Sequence, residues 1–207
     1  CGVMHYSSGD PNAVAAGPTE QQKQDNDGFV WAINLWSGHP LIYLPGGAYR
    51  YSTYGTNMAG AALDFAAPGG FWGYVKTRIA DATQPVPMQF FHPDDIYDAQ
   101  YGQDPYNTDQ WRVHGYTKDD NADVVVNKTP HDVSWKLPGG GFISSAADMA
   151  LFAHGLLNNV FLDQQGMDEL WTPQRNIILG FPGTPSSGYA LGFDVDQWSG
   201  ERRVSHS

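Results

Sequence analysis

Hydrophobic positions recur with helical spacing in two long stretches of the chain. Met58, Ala59, Ala62, Leu63 and Ala66 fall on one face of a helix that begins near Tyr54, and "PGG" (68–70) ends it. Phe71, Tyr74, Val75 and Ile79 carry the same spacing onward. The clearest helix start lies in "GGGFISSAADMALFAHGLLN" (139–158): Ser144 or Ser145 caps it and Asp148 sits in its first turn. Met149, Phe152, Ala153, Leu156 and Leu157 form its predicted core face. A further helix is predicted over 163–172. The closing "GYALGFDVDQWSGERRVSHS" alternates as two strands around a turn at Ser199–Gly200.

Between these segments the pattern is weaker. "FVWAINLW" (29–36) reads equally as helix or buried strand. Residues 10–28 are polar loop with one short helix, and 37–47 are turn-rich. Three prolines make 82–95 an extended loop, and 96–138 is loop-rich with a short strand over 123–127. The expectation is an α+β chain: a helical part over roughly 10–175, strands over roughly 188–207, and an incomplete sheet.

Composition narrows the function. The 207 residues suffice for one domain with a subdomain, and 41% hydrophobic with 14% aromatic content supports a packed core. A formal charge of −11 repels phosphate backbones and anionic lipid, which argues against nucleic acid or a membrane surface as partner. The single cysteine, Cys1, permits neither an internal disulfide nor a cysteine zinc site. It is open to reading as a lipoprotein anchor or as a residue inside a longer chain. No apolar run is long enough for a membrane-spanning segment, and no signal-peptide pattern opens the chain. Few basic residues and many Trp, Tyr, Asn and Gly suit a periplasmic or secreted bacterial protein. Seven histidines stand at no metal-ligand spacing, so neither metal nor cofactor is expected. Oligomeric state has no signal in the pattern.

Phosphate-loop, dinucleotide, HExxH and GxSxG motifs are absent. Three ordered segments carry more: "HYSSG" (5–9), "PGGAYRYSTYGTNMAG" (45–60) and "PGGGFISSAADMALF" (138–152). In this order they resemble the serine β-lactamase and penicillin-binding-protein superfamily, nearest its class-C-like branch of family VIII esterases, D,D-peptidases and LACTB-like hydrolases. The ending Val204-Ser205-His206-Ser207 resembles the start of that branch's His-x-Gly strand. "PVPM" (85–88) stands where the branch usually has Pro-Leu-Gly-Met, a departure confined to a loop.

The resemblance implies a serine hydrolase that forms an acyl-enzyme on a small ester, amide or peptide substrate. It implies catalytic roles for Tyr51 as proton relay, Thr53 as a polar neighbour and His206 as a polarising group, with Gly140 and Ser207 on the substrate. The family's Ser-x-x-Lys nucleophile motif is missing. The residues three before Lys23, Lys76, Lys118, Lys128 and Lys136 are Glu20, Gly73, Gly115, Val125 and Val133. The expectation is a single β-lactamase-like domain truncated at both ends and inactive by itself. The alternative is a non-catalytic relative that binds a cell-wall peptide or a protein partner. Without the resemblance, Tyr51 reads as a core or cap tyrosine, Thr53 as a helix cap and His206 as a terminal histidine. His5 is expected to hold its loop through a ring hydrogen bond, and Ser7 and Ser8 to be turn residues.

Overall fold

The helix predicted after Tyr54 is the longest element and organises the rest. In a computed structural model the described residues are 3–5, 17–26, 28–44, 49–89, 92–93, 113, 115–119, 123–127, 132–174 and 188–206. Helix α1 (Glu20–Asp25) opens with a capping box between Thr19 and Gln22, and the ambiguous "FVWAINLW" segment becomes a 3₁₀ helix over Val30–Leu35. Helix α2 (Thr53–Ala66) is followed by α3 (Gly70–Val75), which runs on as a π turn over Lys76–Ala80. Gly69 and Gly70 take left-handed φ values of 80° and 70°, which is how the chain reverses between α2 and α3.

The inward face of α2 differs from the periodicity. Thr53, Tyr54, Asn57 and Gly60 are buried, whereas Met58, Ala59, Ala62 and Ala66 are exposed. The reason is close backbone packing. A Cβ on Gly60 would stand 2.1 Å from Pro138 Cγ, so α2 lies directly on the 3₁₀ turn Ser134–Gly139. The Asn57 amide donates to the Trp135 carbonyl at 3.0 Å across that contact. Two aromatic clusters flank it. Tyr54 stacks on Trp36 beside Val3, Met4, Ala32 and Trp135, and Phe29, Phe71, Val75 and Leu137 form the second.

Helix α4 (Ala146–Leu157) is capped by Ser145, whose hydroxyl accepts from the Asp148 N–H at 3.0 Å. Its predicted core face is also corrected: Met149, Ala153 and Leu157 are exposed, and Asp148 and Gly155 are the buried positions. Asp148 accepts from the Ser145 hydroxyl and from the Gln89 backbone N–H, each at 2.9 Å, so a carboxylate ties the 82–89 loop to this helix. Gly155 admits the Phe161 ring, which would lie 2.4 Å from a Cβ there. Helix α5 (Gln164–Leu170) starts on an Asp163 cap, close to its predicted span.

Strands are short. β1 (His92–Pro93) pairs antiparallel with β4 (Phe142–Ile143), and β2 (Tyr116–Asp119) with β3 (Val124–Asn127). β2 falls where the sequence pattern predicts only loop. The closing segment forms a three-stranded antiparallel sheet, β5 (Gly188–Tyr189), β6 (Asp194–Trp198) and β7 (Glu201–Ser205). Ser199 and Gly200 both take positive φ, the geometry of a tight hairpin turn at the predicted place. Ser207, Ser7 and Ser8 lie outside the described residues.

Candidate active site

The segment Tyr51-Ser52-Thr53 divides three tasks among three residues. Ser52, not Thr53, is the α2 cap: its hydroxyl accepts from the Gly55 N–H at 3.0 Å and donates to the Met4 carbonyl. Tyr51 therefore projects from just outside the helix and is 40% exposed. Thr53 turns inward and is 3% exposed. Its methyl lies 2.7 Å from where a Gly139 Cβ would be, and its N–H donates to His5 Nδ1 at 3.2 Å. Tyr51 and its expected polar neighbour Thr53 thus separate: Tyr51 lines a cavity and Thr53 supports the glycine turn behind it.

That cavity has a volume of about 760 Å³ and lies among the N-terminus of α2, the 137–142 turn and the closing sheet. Gly140 lines it with φ 122°, and a Cβ at this position would meet nothing within 4 Å, so the backbone leaves open space there. The Gly140 N–H donates to the Leu137 carbonyl at 3.4 Å. Opposite, the β6–β7 pairing sets Asp194 against Ser205 and delivers His206 to the cavity wall. His206 Nδ1 lies 2.8 Å from the Gly192 carbonyl oxygen. Its ring centroid is 6.2 Å from Tyr51 and 6.4 Å from Tyr189. Residues 51, 140 and 206, singled out separately in the sequence, share one cavity.

Two further tyrosines complete the wall. Tyr49 and Tyr189 pack with ring centroids 4.8 Å apart. Burial, then the neighbouring Tyr189, the Asp194 charge and a hydrogen bond to Tyr189 push the Tyr49 phenol well above its ordinary range. Tyr189 is also pushed up, by burial first and then by Tyr51 and Asp194, with the hydrogen bond from Tyr49 opposing. Both phenols therefore keep their protons at neutral pH. Tyr49 stands two residues from Tyr51, the spacing that puts side chains on one side of an extended chain, and that signal could have found it. Tyr189 lies in a two-residue strand and is placed by strand pairing alone.

His5 meets the Tyr51 ring edge-on at 5.3 Å. Burial, then the charges of Arg50 and Lys136, lower its pKa, so it is neutral at pH 7. Its Nδ1 accepts from Thr53, which agrees with the expected loop-holding role. Among the described residues no group of three or more His, Cys, Asp or Glu could hold a metal ion. No helix among them is long and apolar enough to cross a membrane.

The family model for Beta-lactamase matches residues 3–207. The mitochondrial serine beta-lactamase-like protein LACTB of Bos taurus is 25% identical over 189 residues, 84% of this chain and 31% of the relative. Its Homo sapiens counterpart is 26% identical over 182 residues, 80% and 30% of the two chains. The chain thus spans about a third of the length of these curated relatives. A D-stereospecific amidohydrolase from Streptomyces sp. superposes with TM-score 0.68 at 20% identity, over 99% of this chain and 57% of the other. A penicillin binding protein from Bacillus halodurans gives 0.66 at 16% identity, over 97% and 55%. With the match running through both walls of the cavity, the chain belongs to the Beta-lactamase family and has the α+β fold of the serine β-lactamase and penicillin-binding-protein superfamily of hydrolases.

Proposed function

We propose that the protein is a serine hydrolase that forms an acyl-enzyme on a small ester, amide or peptide and releases it to water. The observation that carries this reading is the meeting of Tyr51, Gly140 and His206 in one cavity of about 760 Å³. The volume falls in the range of small-molecule sites. Phe142, Leu137 and the Tyr49–Tyr189 pair offer apolar surface to a substrate's side group.

On this reading a serine hydroxyl attacks the carbonyl, and Tyr51 relays the proton toward the leaving group. His206 faces the reacting carbonyl from the sheet side. Thr53 acts by supporting the Gly139–Gly140 turn rather than by touching substrate. No serine precedes any of the five lysines by three residues, so the nucleophile is assigned to sequence outside these 207 residues. An amidohydrolase and a penicillin binding protein among the fold neighbours support an amide or peptide as substrate.

The test is labelling of the whole protein with a fluorescent penicillin or an activated phosphonate, followed by peptide mapping. Covalent label on one serine, lost in parallel with ester or amide turnover, is expected. Absence of both label and turnover, with saturable binding of a cell-wall peptide, would establish the non-catalytic alternative instead.

A further inference from the structure

Four rings line the cavity in unbroken succession. Tyr49 and Tyr189 pack with centroids 4.8 Å apart, Tyr189 and His206 at 6.4 Å, and His206 and Tyr51 at 6.2 Å. Interplanar angles of 45°, 60° and 39° keep these neighbours from stacking flat, so they do not cover one another's faces. Tyr49 and Tyr189 form the end of the row beyond His206. The Tyr49 hydroxyl donates to the Tyr189 oxygen, and both residues are half-buried with part of their surface on the cavity. A ring pair tied in this way has little side-chain freedom left to lose when a ligand arrives.

The cavity has room for a flat group beside these rings. Gly140 and Gly192 both line it, and a Cβ on either would meet nothing within 4 Å. Phe142 and Leu137 add apolar surface from the 137–142 turn. A cavity walled by rings suits two kinds of guest, a neutral aryl ring or an organic cation held over the ring faces. Charge decides between them. The chain carries 22 acidic residues against 11 basic ones, yet no Asp or Glu is among the described residues that line this cavity, whereas Arg50 is. Asp194, whose charge acts on both phenols, is not part of the lining. A cationic guest would therefore meet a guanidinium and no carboxylate at the wall.

We infer that Tyr49 and Tyr189 determine specificity, holding a neutral aryl side group by ring contact in preference to an alkyl group of the same size or an organic cation. As substrate selection this rests on the hydrolase reading above; as ligand recognition it does not. The pair touches the side group and takes no part in bond making. Edge-to-face or offset contact with such a pair is worth roughly 2- to 10-fold beyond the apolar area buried. Cyclohexyl is the discriminating comparison, since it has the size of phenyl and more apolar surface but no ring face. Burial alone favours cyclohexyl, and only ring recognition favours phenyl.

Two measurements on the whole protein test this. Calorimetric binding is compared for the phenylacetyl, cyclohexylacetyl and trimethylammonioacetyl derivatives of glycinamide, and kcat/KM for the 4-nitrophenyl esters of phenylacetic and cyclohexylacetic acids. Wild type is expected to favour phenyl over cyclohexyl by roughly 2- to 10-fold in both, and to bind the ammonium ligand least. Tyr49→Phe keeps the ring and should retain the ratio. Tyr49→Leu and Tyr189→Leu should each bring it to one or below, and a ratio is unmoved by a general loss of folded protein. A wild-type ratio of one or below, tighter binding of the ammonium ligand, or a ratio unchanged in both leucine variants overturns the inference. So does failure of the phenylacetyl ligand to bind saturably. Selective binding of that ligand without turnover of either ester sustains the aryl site and counts instead against the hydrolase reading.

Discussion

Tyr51 precedes the helix cap rather than following it, and this one-residue offset determines what its mutation does. Because it is 40% exposed, removing its hydroxyl takes nothing from the core. In the whole protein Tyr51→Phe is expected to lower kcat/KM by roughly 10²- to 10⁴-fold, the range for loss of a positioned proton-transfer group. The unfolding midpoint should stay within error of wild type. A full-activity Tyr51→Phe protein would remove the phenol from the mechanism. His5 supplies the contrasting case, a histidine whose effect is on stability. Its folded pKa is lowered from 6.5, so on acidification the unfolded chain takes the proton first. The contribution is therefore complete above about pH 6.5 and is lost as pH falls through the lower folded value. Urea unfolding between about pH 7 and pH 5 should show wild type losing stability in this window. His5→Asn, whose amide oxygen can accept from Thr53, should lose less; an identical slope in both proteins would assign the effect elsewhere.

At the level of elements, the contact between α2 and the Ser134–Gly139 turn sets the shape of the cavity floor. Gly60 meets Pro138, and Gly139 meets Thr53, so neither glycine has room for a methyl group. Gly60→Ala is expected to cost about 1–3 kcal/mol, the range for forcing a methyl into a packed core, read as a lowered urea midpoint at unchanged m-value. A neutral result would mean that α2 and the turn slide apart freely. This contact also explains what the hydrophobic pattern could and could not convey. Helix α2 was legible as an element, because helical spacing after Tyr54 and a Pro-Gly-Gly stop are local signals; its cap fell at Ser52 rather than at Thr53. Its buried face was not, because Thr53, Asn57 and Gly60 pack by close approach and by the Asn57–Trp135 hydrogen bond, which carry no hydrophobic periodicity. Helix α4 repeats the lesson through Asp148 and Gly155. Phe65, 96% exposed, shows the converse, since a large apolar residue on a helix does not by itself mark the inward side. The β6–β7 hairpin was legible in full because alternation and a Ser-Gly turn are both local. Tyr189 was not, since only pairing across the sheet brings it to His206.

For the whole molecule, the cavity joins parts that are distant in sequence: the start of α2, the 137–142 turn and the sheet carrying His206. Acyl transfer needs more than such walls. It requires a nucleophile with a base in reach and backbone donors placed for the developing oxyanion. Tyr51 and His206 line the cavity, but the Gly140 N–H is turned to the Leu137 carbonyl and no lysine has a serine one helical turn before it. The 207 residues alone are therefore expected to show no turnover of an activated ester and no covalent label from a fluorescent penicillin. The whole protein should show both under the same conditions. Circular dichroism of the 207-residue chain must first show helical signal, so that inactivity is not mere unfolding. Turnover by the 207-residue chain that acylating serine inhibitors leave intact would place the nucleophile elsewhere and make Tyr51 and His206 bystanders. Turnover that those inhibitors abolish would instead locate a serine within these residues, and peptide mapping of the label would identify it.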